Sequence, residues 1–125
     1  MSKTILVVDN VYQKISNLCR ETLQPPHYAV RATTTRREAL EMLAGQSIDL
    51  LIAAPTFDEV EGYDFIEQLR KNYPDLKTIL ILQEHEETSR MVRRLLETKG
   101  VVTNYLSKHV KAEELSDKVK SLIGG

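Results

Sequence analysis

A chain of 125 residues, 42% apolar and 28% charged, is the size of one globular unit around one core, and the expectation is a single domain spanning 1–125. Its 17 basic and 18 acidic side chains leave a net charge of −1, so no whole-molecule field draws it to nucleic acid or to an anionic membrane, and neither is expected as a partner. No apolar run approaches the roughly 20 residues that cross a bilayer, Met1-Ser2-Lys3 leads straight into a strand-like run without a signal-peptide pattern, and the one cysteine makes no internal disulfide; these features predict a cytoplasmic location.

Thr4 to Val8 forms the first apolar, largely β-branched run. It is followed by a segment of helical period with Ile15, Leu18, Cys19 and Thr22 or Leu23 on one face. Tyr28 to Ala32 is the second run, after which Thr35 and Glu38 have the spacing of a capping box ahead of Ala39, Leu40 and Leu43. Leu50 to Ala54 is the third, followed past Gly62 by Phe65, Ile66 and Leu69 at helical spacing. Thr78 to Leu82 is the fourth, followed by Met91, Leu95 and Leu96 facing inward up to a helix stop at Gly100. Val101 to Leu106 is the fifth, and the last helical face carries Leu115, Val119, Leu122 and Ile123. Near-continuous hydrophobicity marks strands covered on both faces. Strict alternation with helices predicts an α/β fold: a five-stranded parallel sheet with helices on both sides, a flavodoxin-like three-layer sandwich. In such sheets sites form at the carboxyl ends of the strands, near the point where strand order reverses. Those ends are Asp9-Asn10, Ala54 to Asp58, Gln83-Glu84 and Ser107-Lys108.

From end to end the chain resembles the receiver domain of two-component response regulators. Lys3-Thr4-Ile5-Leu6-Val7-Val8-Asp9-Asn10 is similar to the first strand and acidic pair of that family, and Arg37-Glu38-Ala39-Leu40 to its second helix. Gly62-Tyr63-Asp64-Phe65-Ile66 resembles the sequence after its third loop, and Tyr105-Leu106-Ser107-Lys108 its last strand. The resemblance implies an acceptor aspartate eight residues before the loop glycine, and counting back from Gly62 lands on Ala54. It also implies two acidic residues after the first strand, where this chain has Asp9 and Asn10. A serine or threonine is implied where Gln83 stands, and a lysine followed by proline where Lys108 and His109 stand. Phe57-Asp58 replaces the usual Met-Pro, and Glu61 the aspartate that usually precedes the glycine.

A methyl group has no lone pair with which to attack phosphorus. The usual three carboxylates and one lysine leave roughly −2 in a receiver pocket, a charge that Mg²⁺ offsets through oxygen ligands. Here Asp9 and Lys108 nearly cancel, which predicts an ion pair between them in a shallow polar pocket and no metal site. Asp9, Asn10, Ala54, Gln83 and Lys108 thus read as a degenerate phosphorylation pocket, without catalytic residue, metal or cofactor. The resemblance implies a signalling module of two-component or phosphorelay type, and the joint loss of acceptor, metal pair and hydroxyl makes it a phosphorylation-independent protein-interaction module, a pseudo-receiver. The alternative is an atypical receiver switched by a non-standard acceptor, such as Asp58 or Glu59, or by a small ligand in the altered pocket.

Outside the pocket, Cys19 reads as a small core side chain, and His27, His85 and His109 lack metal-ligand spacing. Arg90, Arg93 and Arg94 share one face of the fourth helical segment, either as a solvated surface or as a docking surface. The family binds partners through its fourth helix, fifth strand and fifth helix. That resemblance implies a protein partner at Arg90, Arg93, Arg94, Tyr105, Lys111 and Lys118, and the basic character suits an acidic one.

Overall fold

The computed structural model describes residues 3–9, 14–23, 27–54, 68–69, 71–82, 104–107 and 109–124. Its strands are β1 (Lys3–Asp9), β2 (Tyr28–Thr33), β3 (Leu50–Ala54), β4 (Lys77–Leu82) and β5 (Asn104–Ser107). The helices described in full are α1 (Lys14–Thr22), α2 (Arg36–Gly45) and α3 (Ala112–Ile123), the last being the fifth helical segment of the sequence. The strands pair side by side in the order β2-β1-β3-β4-β5, and every ladder is parallel.

Successive side chains of a strand point to opposite faces of its sheet, and this explains the near-continuous apolar runs. Leu6, Val8, Leu51, Ala53 and Leu80 join Ala39 and Leu43 of α2 in one core. The residues between them, Ile5, Val7, Leu50, Ile52, Ile79 and Ile81, join Ile15 and Cys19 of α1 and Leu115 and Val119 of α3 in the other. Ile5, Leu6, Leu50, Leu51, Ile52, Ile79 and Ile81 are fully buried. Each such side chain contributes about 1.5–3 kcal/mol by leaving water, so the two apolar layers outweigh any local propensity in holding the sheet.

Two starts show how sequence sets element boundaries. Thr35, in extended conformation, caps α2: its hydroxyl accepts the Glu38 N–H at 3.1 Å. The Glu38 carboxylate does not complete the expected box, however. It accepts a hydrogen bond from the buried Thr33 hydroxyl at 3.1 Å, and Thr33 Oγ1 in turn accepts the Thr35 N–H at 3.3 Å. Thr33, the last residue of β2, and Thr35 therefore work as a relay into the helix. At the amino edge, Thr4 N–H donates to Asp49 Oδ2 at 2.8 Å and Asp49 N–H donates to the Thr4 carbonyl at 2.9 Å, which fixes the entry of β3 beside β1.

Of the other expected positions, Leu69 is buried in the core it shares with α2. Phe65, Ile66, Met91, Leu95, Leu96 and Gly100 lie outside the described residues, as do Val101 to Thr103, so the described part of the last strand begins at Asn104.

Candidate functional site at the carboxyl end of the sheet

All five strands run the same way, so their carboxyl ends share one edge, and the order reverses between β1, which leads on to β2, and β3, which leads on to β4. At that reversal Asp9 is the register partner of Ala54. The last residue of β1 and the last of β3 thus stand side by side where a ligand would sit in a fold of this type.

Asp9 is 3% exposed, and a carboxylate so deep in the protein needs partners. Its Oδ2 accepts the N–H of Ile15 at 3.0 Å and, more weakly, that of Ser16 at 3.4 Å. Both donors belong to the first turn of α1, whose leading N–H groups have no intrahelical acceptor and whose dipole favours a negative charge there. Asp9, the last residue of β1, therefore acts as the acceptor for the start of α1. The sequence reading missed this role: a helix cap is looked for immediately before a helix, whereas Asp9 precedes Ile15 by six residues.

The expected Asp9–Lys108 ion pair has one member outside the described residues, and so have Asn10 and Gln83. Their strands nevertheless bring the neighbouring positions together. Leu82 pairs with Ser107 at the ends of β4 and β5, so Gln83 and Lys108 each follow directly from one member of a paired couple. Asp58, Glu59 and Glu61 lie outside the described residues as well.

One turn into α1 from Ile15, Cys19 is fully buried. Burial pushes its thiol up to about 12, and the negative charge of Asp9 adds to the effect. The thiol thus stays neutral at physiological pH, which removes the thiolate needed for nucleophilic or redox chemistry. Among the described residues no three His, Cys, Asp or Glu side chains come together as a metal site, and His27 and His109 are both exposed.

The partner-face positions are divided. Tyr105 lies on β5 in register with Leu80, and Lys111 is exposed at the start of α3. Lys118, partly buried, is seven residues further along, close to two helical turns. Arg90, Arg93 and Arg94 lie outside the described residues.

Comparison with known proteins matches residues 5–120 to the response regulator receiver domain. The response regulator SaeR of Staphylococcus aureus is 29% identical over 85 residues, covering 66% of this chain and 36% of that protein, so the chain spans about a third of the length of the curated relatives it matches. A response regulator from Thermotoga maritima superposes with a TM-score of 0.82 at 21% identity, all of both chains being covered. Thermotoga maritima TrrA, solved in complex with Mg²⁺ and BeF, superposes with a TM-score of 0.75 at 28% identity, covering 96% of this chain and 98% of that one. By the extent of the family match, this chain belongs to the response regulator receiver domain family.

Proposed function

We propose that this chain is a pseudo-receiver, a receiver-family module that binds a protein partner without being phosphorylated on aspartate. The observation that carries the reading is the register at the strand-order reversal, where the neighbour of Asp9 is Ala54. Phosphoryl transfer depends on a nucleophile held in line with the leaving group, and a methyl group at that position offers no oxygen. Asp58 and Glu59 stand four and five positions further along the chain, and the in-line requirement attaches to the position at the strand end.

The family relative TrrA is known with Mg²⁺ and BeF. The residues here do not suit that metal. Oδ2 of Asp9 is taken up by the α1 backbone, Ala54 has no donor atom, and Asn10 supplies at most a neutral carbonyl in place of a charged ligand. With Gln83 in place of a hydroxyl and Lys108 balancing Asp9, no comparable negative charge recruits a divalent cation. Without phosphorylation there is no differential contact to shift the population of two states, so the partner surface is available constitutively. That surface is assigned to Arg90, Arg93, Arg94, Tyr105, Lys111 and Lys118. Its partner is an acidic protein surface, reached in the cytoplasm.

Incubation with acetyl phosphate and Mg²⁺, followed by intact-mass spectrometry, tests the reading. The expected result is no added phosphoryl mass. A stoichiometric, acid- and base-labile increase mapped to Asp58 or Glu59 would replace this reading with that of a receiver using a displaced acceptor.

A further inference from the structure

The last turn of α3 is gripped by side chains from two separate strands. Tyr28 opens β2 at the edge of the sheet, is 5% exposed, and donates its hydroxyl hydrogen to the Gly124 carbonyl at 2.7 Å, across 96 positions of sequence. Lys77 opens β4, and its ammonium donates to the Leu122 carbonyl at 2.6 Å. The terminal carbonyls of a helix have no N–H of their own helix to bond; here two carbonyls at the helix end are met from the sheet instead. Leu122, one of these points, and Ile123, between them, pack against the core that α3 shares with α1. Gly124 adopts φ 77°, a left-handed conformation that glycine takes without a Cβ penalty, while its N–H closes on Lys120 O at 2.9 Å. No atom lies within 4 Å of where a Cβ would stand, so the backbone angle rather than crowding calls for glycine.

We infer that Tyr28 and Lys77 form a two-point latch by which the sheet, rather than the helix, sets the position and direction of the backbone at the end of α3. The two donors come from β2 and β4, which flank β1 and β3, so the latch ties the helix end to strand starts on both sides of the central pair. Releasing a donor frees the final turn while the buried anchors Leu115 and Val119 keep the rest of the helix docked. Burial raises the Tyr28 phenol above its ordinary range, so the hydroxyl keeps its proton and its donor role through neutral and mildly alkaline pH. The inference is independent of whether the chain is phosphorylated.

Residue-resolved amide hydrogen exchange on the full chain tests it, comparing wild type with Tyr28→Phe, Lys77→Met and the double variant. Phenylalanine keeps the buried ring and methionine keeps the stem of the lysine, so each variant removes chiefly a donor. In Tyr28→Phe the Ile123 and Gly124 amides are expected to exchange about fivefold faster, the effect of one net hydrogen bond, and faster again in the double variant, with Leu115 and Val119 at wild-type rates. Unchanged rates at Ile123 and Gly124 in the double variant would overturn the latch. So would an equal acceleration along the whole of α3, which would mean general loosening.

Discussion

The two ends of the sheet are secured by different means. At the amino end, Thr4 and Asp49 exchange hydrogen bonds, Lys3 N–H donates to the His27 carbonyl at 2.9 Å, and Tyr28 and Lys77 reach the end of α3. These contacts join segments far apart in sequence and define the scaffold. At the carboxyl end, Asp9 is turned to the start of α1 and its strand neighbour is an alanine. The difference is one of reach: among the described residues, the amino-end side-chain bonds tie segments 45 or 96 positions apart, whereas at the carboxyl end Asp9 and Thr33 each bond the helix that follows their own strand. Changing residues at the carboxyl end should therefore disturb the fold less than changing the scaffold at the amino end.

The strongest way to break this comparison is to weaken the scaffold directly. Leu50, fully buried at the start of β3, should cost about 2–5 kcal/mol of unfolding free energy when changed to alanine, measured by urea denaturation, because it leaves a cavity beside Ile5 in the core shared with α1 and α3. Asp9→Ala at the other end should cost less, about 1–2 kcal/mol, the value of the bonds to Ile15 and Ser16 at a helix start. Should Asp9→Ala destabilise as much as Leu50→Ala, the carboxyl end would be part of the scaffold and the separation would fail. The smallest expected effect on stability sharpens the comparison. Charge reversal at Arg93 and Arg94, which the helical spacing of the sequence puts on an outward face, should shift unfolding by no more than about 0.5 kcal/mol, yet weaken binding to the physiological partner. A pulldown in which Asp9→Ala abolishes that binding and the arginine reversals leave it intact would move the functional surface back to the strand ends.

Much of the scaffold was legible because it rests on period and on local chemistry. The alternation of Ile5, Leu6, Val7 and Val8 between two cores follows from strand geometry alone, and Thr35 caps α2 as its spacing with Glu38 indicates. What the sequence hid are bonds between distant or offset groups. Glu38 turns to Thr33 because the last residue of β2 places a hydroxyl within its reach, a consequence of where the strand stops. The pairing of Tyr28 with Gly124 depends on the sheet order, which sets the β2 edge beside the end of α3. At the site, the identities at positions 9 and 54 were readable from the family pattern, and the register supplied their adjacency. The engagement of Asp9 by α1 was not readable, since nothing local distinguishes a carboxylate that awaits a metal from one that bonds a helix start six residues on.

Whether the carboxyl end of the sheet binds phosphoryl groups is decided by titrating Mg²⁺ and beryllofluoride into isotope-labelled protein and following backbone amide resonances at Asp9, Ile15, Ser16, Ala54 and Tyr105. For a pseudo-receiver these resonances should stay in place at saturating beryllofluoride. A second, saturable set of resonances at Ala54 and Tyr105, dependent on both Mg²⁺ and beryllofluoride, would contradict it.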